Sequence, residues 1–112
     1  MTPEKKVQNK IIKYLKDLQD LGEPIFYERR QAGGYSYKAG LPDLWFVYNG
    51  IHVEVEIKKP GGERKVLQTK MAKSLIDRKV LYILVDNLEP VKQMIEAIKN
   101  LFTGGESHDP QK

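Results

Sequence analysis

Asp43, Glu56 and Lys58 are the residues of this chain whose types and spacing could do chemistry together. They belong to the stretch "GLPDLWFVYNGIHVEVEIKKPGG", residues 40–62, which reads as a β-hairpin turning at Asn49-Gly50. That dipeptide favours a two-residue turn because both central positions need positive φ. If Tyr48 and Ile51 close the turn, Phe46 faces Val53, Leu44 faces Val55, and Asp43 faces Glu56. Directly opposed residues project to one side of the sheet, with Cβ atoms roughly 5 Å apart. Lys58 is two positions beyond Glu56, on the same face and about 7 Å along the strand. Two carboxylates and an ammonium therefore surround one point.

Like charges so placed destabilise a sheet unless something compensates them. A divalent cation does so, and hard oxygen ligands select magnesium or manganese. The competing reading is that Glu56 and Lys58 make exposed cross-strand pairs, worth at most about 1 kcal/mol. A bare E-x-K tripeptide does not decide between the two; the meeting with Asp43 favours an assembled site. Glu54 shares the parity of Glu56 but faces Trp45 and is assigned to the surface. With His52 and His108 as the two histidines and no cysteine, neither a histidine cluster nor a thiolate centre is expected.

The elements that must hold these residues follow from periodicity. A helix is predicted over residues 3–21: Thr2 can cap it, Pro3 suits its first position and Glu4 complements its dipole. Val7, Ile11, Tyr14, Leu15 and Leu18 form its apolar stripe, and Gly22 and Pro24 end it. Residues 25–30 are predicted as a strand, followed by the loop "QAGGYSYKAGLP". The hairpin strands 43–48 and 51–58 come next, then a polar turn and a helix over 65–78. Leu67, Met71, Ala72, Leu75 and Ile76 are that helix's expected buried side. "VLYILV", residues 80–85, reads as a strand covered on both faces. A last helix is expected over 89–102, carrying Val91, Ile95, Ile98, Leu101 and Phe102, with a disordered tail over 103–112. The order α-β-β-β-α-β plus a C-terminal helix predicts an α/β fold with a mixed sheet flanked by helices.

A chain of 112 residues, 40% hydrophobic and 30% charged, fits one soluble domain, residues 1–102. The opening "MTPEKKVQNK" shows no apolar leader, and no segment approaches the ~18 apolar residues of a membrane span. A cytoplasmic location is expected. The net charge is +4. The last ten residues hold Glu106, Asp109 and Lys112, so residues 1–102 carry 18 basic and 13 acidic groups. Such an excess is compatible with a polyanionic partner, and equally with solubility alone.

Pro42-Asp43 followed across a hairpin by Glu56-Ile57-Lys58 resembles the signature of the PD-(D/E)xK nuclease superfamily. More narrowly, the chain resembles a stand-alone VRR-NUC (virus-type replication-repair nuclease) domain. The resembling features are Glu4 and Gln8 in "PEKKVQNKIIKYL", then "AGLPDL", "VEIKKPGG", and Gln68 in "ERKVLQ". The resemblance implies that Asp43 and Glu56 hold Mg²⁺ or Mn²⁺ with the backbone carbonyl of Ile57. It implies that Lys58 positions or activates water and stabilises charge, that Gln68 supports the site, and that Glu4 completes or orients the metal shell. It further implies a metal-dependent DNA endonuclease, resembling Holliday-junction resolvases. Such an enzyme would act as a homodimer on branched DNA in replication, repair or recombination, in a bacterial cytoplasm or, if virus-encoded, in that of the host.

For the substrate, Arg29, Arg30 and Lys38 interleave with Tyr35 and Tyr37, a mixture that can contact phosphates and stack on unpaired bases. Lys59, Arg64 and Lys65 form a second group of candidate phosphate contacts. A plain surface loop accounts for the first group equally well. No base-reading motif is visible, so recognition of DNA shape is expected. The alternatives are a non-catalytic nucleic-acid-binding module retaining the nuclease fold, and a small protein-interaction domain.

Overall fold

The computed structural model describes residues 1–30, 40–62 and 66–108. Helix α1 spans Pro3–Asp20, strands β1, β2 and β3 span Ile25–Arg29, Leu44–Tyr48 and Ile51–Ile57, helix α2 spans Val66–Asp77, strand β4 spans Leu81–Val85, and helix α3 spans Glu89–His108. The order is the expected one, and the sheet is mixed: β1-β2-β3-β4, antiparallel except for β3 and β4, which α2 joins in parallel.

The local signals account for the boundaries. Thr2 is extended and its side chain accepts the Lys5 N–H, so one orphan donor of α1 is satisfied. At the other end Gly22 takes φ +85°, and the N–H groups of Gly22 and Glu23 donate to the carbonyls of Gln19 and Leu18. This closes the helix in a Schellman turn that glycine adopts without strain. Asn49 and Gly50 both have positive φ, 51° and 86°. The register that follows is Leu44↔Val55, Phe46↔Val53 and Tyr48↔Ile51, as the hairpin spacing predicts.

Because side chains alternate along a strand, that register puts Leu44, Phe46, Tyr48, Val53, Val55 and Ile57 on one face. All six are buried there against Ile11 and Leu15 of α1 and Val91, Ile95 and Ile98 of α3. The other face carries Trp45, His52, Glu54 and Glu56, and α2 reaches it through Gln68, which bonds Glu56. The functional candidates are thus on the side opposite the main core, or at its rim.

Four expectations are corrected. β4 lies at the sheet's edge, and Leu81 and Leu84 stay over two-fifths exposed, so it is not covered on both faces. Ile76, assigned to the buried side of α2, is 53% exposed; Ala72 is buried, and the side chain of Leu67 lies outside the described ones. Helix α3 runs to His108 rather than ending at 102, each added residue contributing one more helical hydrogen bond. Within α3, Ile95 and Ile98 cover their own sheet, whereas Leu101 and Phe102 project into solvent. Among the described residues, no helix is long and apolar enough to cross a membrane.

Candidate active site

The ladder between β1 and β2 ends at Arg29↔Leu44, but the Arg30 N–H donates to the Asp43 carbonyl at 2.8 Å and extends it by one step. Asp43 therefore stands just before β2, fixed by its backbone. Its side chain turns towards β3, where Oδ2 accepts the N–H of Ile57 at 2.7 Å. Glu56, next along β3, is 1% exposed. Its Oε2 accepts from Gln68 Nε2 at 2.8 Å and lies 3.7 Å from Lys58 Nζ. Lys58 is itself buried, and its N–H donates to the Val85 carbonyl at 2.9 Å, carrying the β3–β4 pairing past Ile57. The structure thus brings Asp43, Glu56, Lys58 and Gln68 together.

The other Glu56 oxygen, Oε1, is buried with no hydrogen-bond partner among the described residues. Burial pushes the Glu56 carboxyl up to about 8; the charge of Asp43 adds to the rise and the Lys58 ammonium opposes it. A hydrogen bond with Asp43 and the charge of Glu4 raise it further. The burial of Glu56 and the closeness of Asp43 thus favour the protonated form of Glu56. Two neighbouring acids, one of them buried with an oxygen unpartnered among the described residues, are a donor set that fits a hard divalent cation. Asp43 and Glu56 would hold such a cation in place of a proton, and Glu56 Oε1 would gain a partner.

Glu4, in the first turn of α1, is half-buried and lines a cavity of about 380 Å³ with Thr2, Lys5, Gln8, Arg29, Arg30, Asp43 and Ile57. Its charge is felt at Glu56. Even so, among the described residues no three His, Cys, Asp or Glu side chains converge into a metal cage.

Of the candidate DNA contacts, Arg29 and Lys59 are exposed, Arg29 on the cavity wall. Tyr35, Tyr37, Lys38, Arg64 and Lys65 lie outside the described residues. Arg30 is engaged internally: Nη1 and Nη2 donate to the two Glu54 oxygens at 2.6 and 2.9 Å, and Nη1 also donates to the Pro42 carbonyl at 3.1 Å. Glu54 is accordingly not the surface residue expected from its strand position; it is 5% exposed. Burial pushes its carboxyl up, but the hydrogen bonds with Arg30 and His52 outweigh that and hold it below the usual range. His52 Nε2 is 2.7 Å from Glu54 Oε2 and its ring stacks on Trp45.

The residues missed from sequence are Lys5, which lines the cavity, and the Arg30–Glu54 pair. The alternation of the strands places Arg30 and Glu54 on one face, which is the signal that was available.

No protein-family model matches the sequence, and no curated protein matches it. Among solved structures, the fold is similar to that of a chain described as a "VRR_NUC domain", with a TM-score of 0.68. Sequence identity is 20%, over 86% of this chain and 97% of that one. The four-stranded mixed sheet with its flanking helices is the fold of that VRR_NUC domain.

Proposed function

We propose that this protein is a metal-dependent endodeoxyribonuclease that hydrolyses phosphodiester bonds in branched DNA, resembling Holliday-junction resolvases. The observation that carries the reading is the neighbouring Asp43 and Glu56 carboxyl groups, with Glu56 Oε1 unpartnered among the described residues, beside the buried Lys58. The fold shared with a VRR_NUC domain supports it independently.

In this reading Asp43 and Glu56, with the backbone carbonyl of Ile57, would hold Mg²⁺ or Mn²⁺. Such an ion lowers the pKa of bound water and polarises a phosphoryl oxygen. The chain's own residues do the rest. The Ile57 N–H fixes Asp43, and Gln68 fixes Glu56. Lys58 orients the attacking water and stabilises the negative charge that grows on the phosphoryl oxygens. Glu4, which lines the cavity with Asp43, would complete or orient the metal shell. Arg29 and Lys59 meet DNA phosphates, as do Lys38, Arg64 and Lys65, with Tyr35 and Tyr37 against unpaired bases. Two symmetric cuts need two sites, and a chain with one site supplies them by twofold pairing.

Labelled four-way, flap and linear DNA, each incubated with and without Mn²⁺ or Mg²⁺, test the proposal. Metal-dependent cleavage favouring the branched substrates is expected. DNA retention without cleavage in either metal would favour the non-catalytic binding module.

A further inference from the structure

Arg30 donates three side-chain hydrogen bonds, and the one to the Pro42 carbonyl has no evident role in an ordinary buried ion pair. Pro42 directly precedes Asp43, and the N–H of the same Arg30 holds the Asp43 carbonyl at 2.8 Å. One residue therefore grips both peptide carbonyls on either side of the Asp43 Cα. The grip is itself anchored: the guanidinium fork is held by both oxygens of Glu54, and Glu54 by His52. Glu54 sits inside β3, two residues before Glu56 and opposite Trp45.

Asp43 needs such an anchor. It lies outside β2, beyond the last paired residues of the ladder. Its carboxylate must nevertheless meet the Ile57 N–H and face Glu56. We infer that Arg30 and Glu54 are positioning residues: a clamp from β3 through the guanidinium to the Pro42–Asp43 backbone that sets where the Asp43 carboxylate stands relative to Glu56. This rests on the nuclease reading only for the purpose the clamp serves. The geometric claim concerns this chain alone.

A bidentate guanidinium is suited to this task, because its planar donors fix direction as well as distance. Lysine keeps the charge but not the fork. Partners of this kind, one step removed from a metal's ligands, commonly alter metal affinity 10–100-fold when removed.

The test uses two variants of the full chain. In R30M/E54L both partners are replaced by apolar side chains, which avoids leaving a buried charge unpaired. In Arg30→Lys, Glu54 keeps a cationic partner. Amide hydrogen exchange by NMR on metal-free protein reads the Asp43 anchor at the Ile57 N–H, with the Val55 N–H as internal control. Mn²⁺ titration without DNA reads the carboxylate pair. The clamp predicts Ile57 exchange faster by about tenfold or more relative to Val55, and Mn²⁺ affinity weaker by about tenfold, in the double variant. Arg30→Lys should shift both in the same direction by less. If R30M/E54L is folded and leaves both quantities at wild-type values, the clamp is overturned. If that variant does not fold, unchanged values in Arg30→Lys overturn it equally. Should the wild-type protein bind no Mn²⁺ and cleave nothing, the nuclease reading falls, while Ile57 exchange still decides the clamp.

Discussion

Gln68 Nε2 donates to Glu56 Oε2 at 2.8 Å, tying helix α2 to the strand that carries the central acid. The bond fixes the orientation of a carboxylate that is 1% exposed and leaves its other oxygen facing the site. Replacing Gln68 by alanine should therefore slow cleavage about 10–100-fold and, because a buried carboxyl oxygen loses its donor, lower the thermal stability as well. Single-turnover rates at saturating DNA, beside a melting curve, check both halves of the expectation.

Glu56 also makes stability depend on pH. Its acid is raised from an ordinary 4.5 to about 8, so the folded protein holds a proton that the unfolded chain releases. Stability from this group is full below about 4.5 and is lost as pH rises towards 8. The melting temperature of metal-free protein should fall across that window, and Glu56→Gln should flatten the fall. Added Mg²⁺ should restore wild-type stability near pH 8 but not that of Glu56→Gln. Calorimetry across the pH series reads all three.

Lys58 is expected to act on the chemical step. It lies 3.7 Å from Glu56 Oε2, where a fixed positive charge faces the charge that develops during hydrolysis. Lys58→Ala should lower the single-turnover rate at saturating DNA by about 10²–10³-fold. A loss confined to DNA affinity would make Lys58 a phosphate contact instead.

The hairpin was the most legible part of the chain. Asn49-Gly50 sets the turn, the turn sets the register, and the register alone places Asp43 opposite Glu56. Helix α1 was equally clear because Thr2, Pro3 and Gly22 mark its ends chemically. Burial on the far face was not legible. Alternation says that Glu54 leaves the main core, but not that Arg30 reaches across from β1 to cover it. Likewise "VLYILV" is uniformly apolar whether its strand lies in the middle of a sheet or at the edge, and only the strand order separates the two. The end of α3 was misjudged because Gly104-Gly105 is a poor helix sequence, and propensity is a weak guide once a helix has begun.

Twofold pairing should involve the end of α3, where Leu101 is 70% and Phe102 45% exposed. Both are free of their own sheet, unlike Ile95 and Ile98. The double substitution Leu101→Glu/Phe102→Glu should convert a dimer to a monomer in sedimentation velocity without lowering the melting temperature. With a cruciform plasmid, it should also convert paired cuts into single nicks. A wild-type monomer that nicks linear duplex as fast as junctions would refute the resolvase reading while leaving the metal-dependent nuclease reading in place.

The sharing of one metal by Asp43 and Glu56 is tested most directly by single-turnover cleavage of a labelled four-way junction, with Mn²⁺ and DNA both saturating, in Asp43→Asn. That substitution keeps the side chain's size and one oxygen to accept the Ile57 N–H, while an amide NH2 replaces the other oxygen and the charge is lost. The account predicts a rate lower by orders of magnitude, with the junction still bound and the protein still folded. Cleavage at the wild-type rate would contradict it.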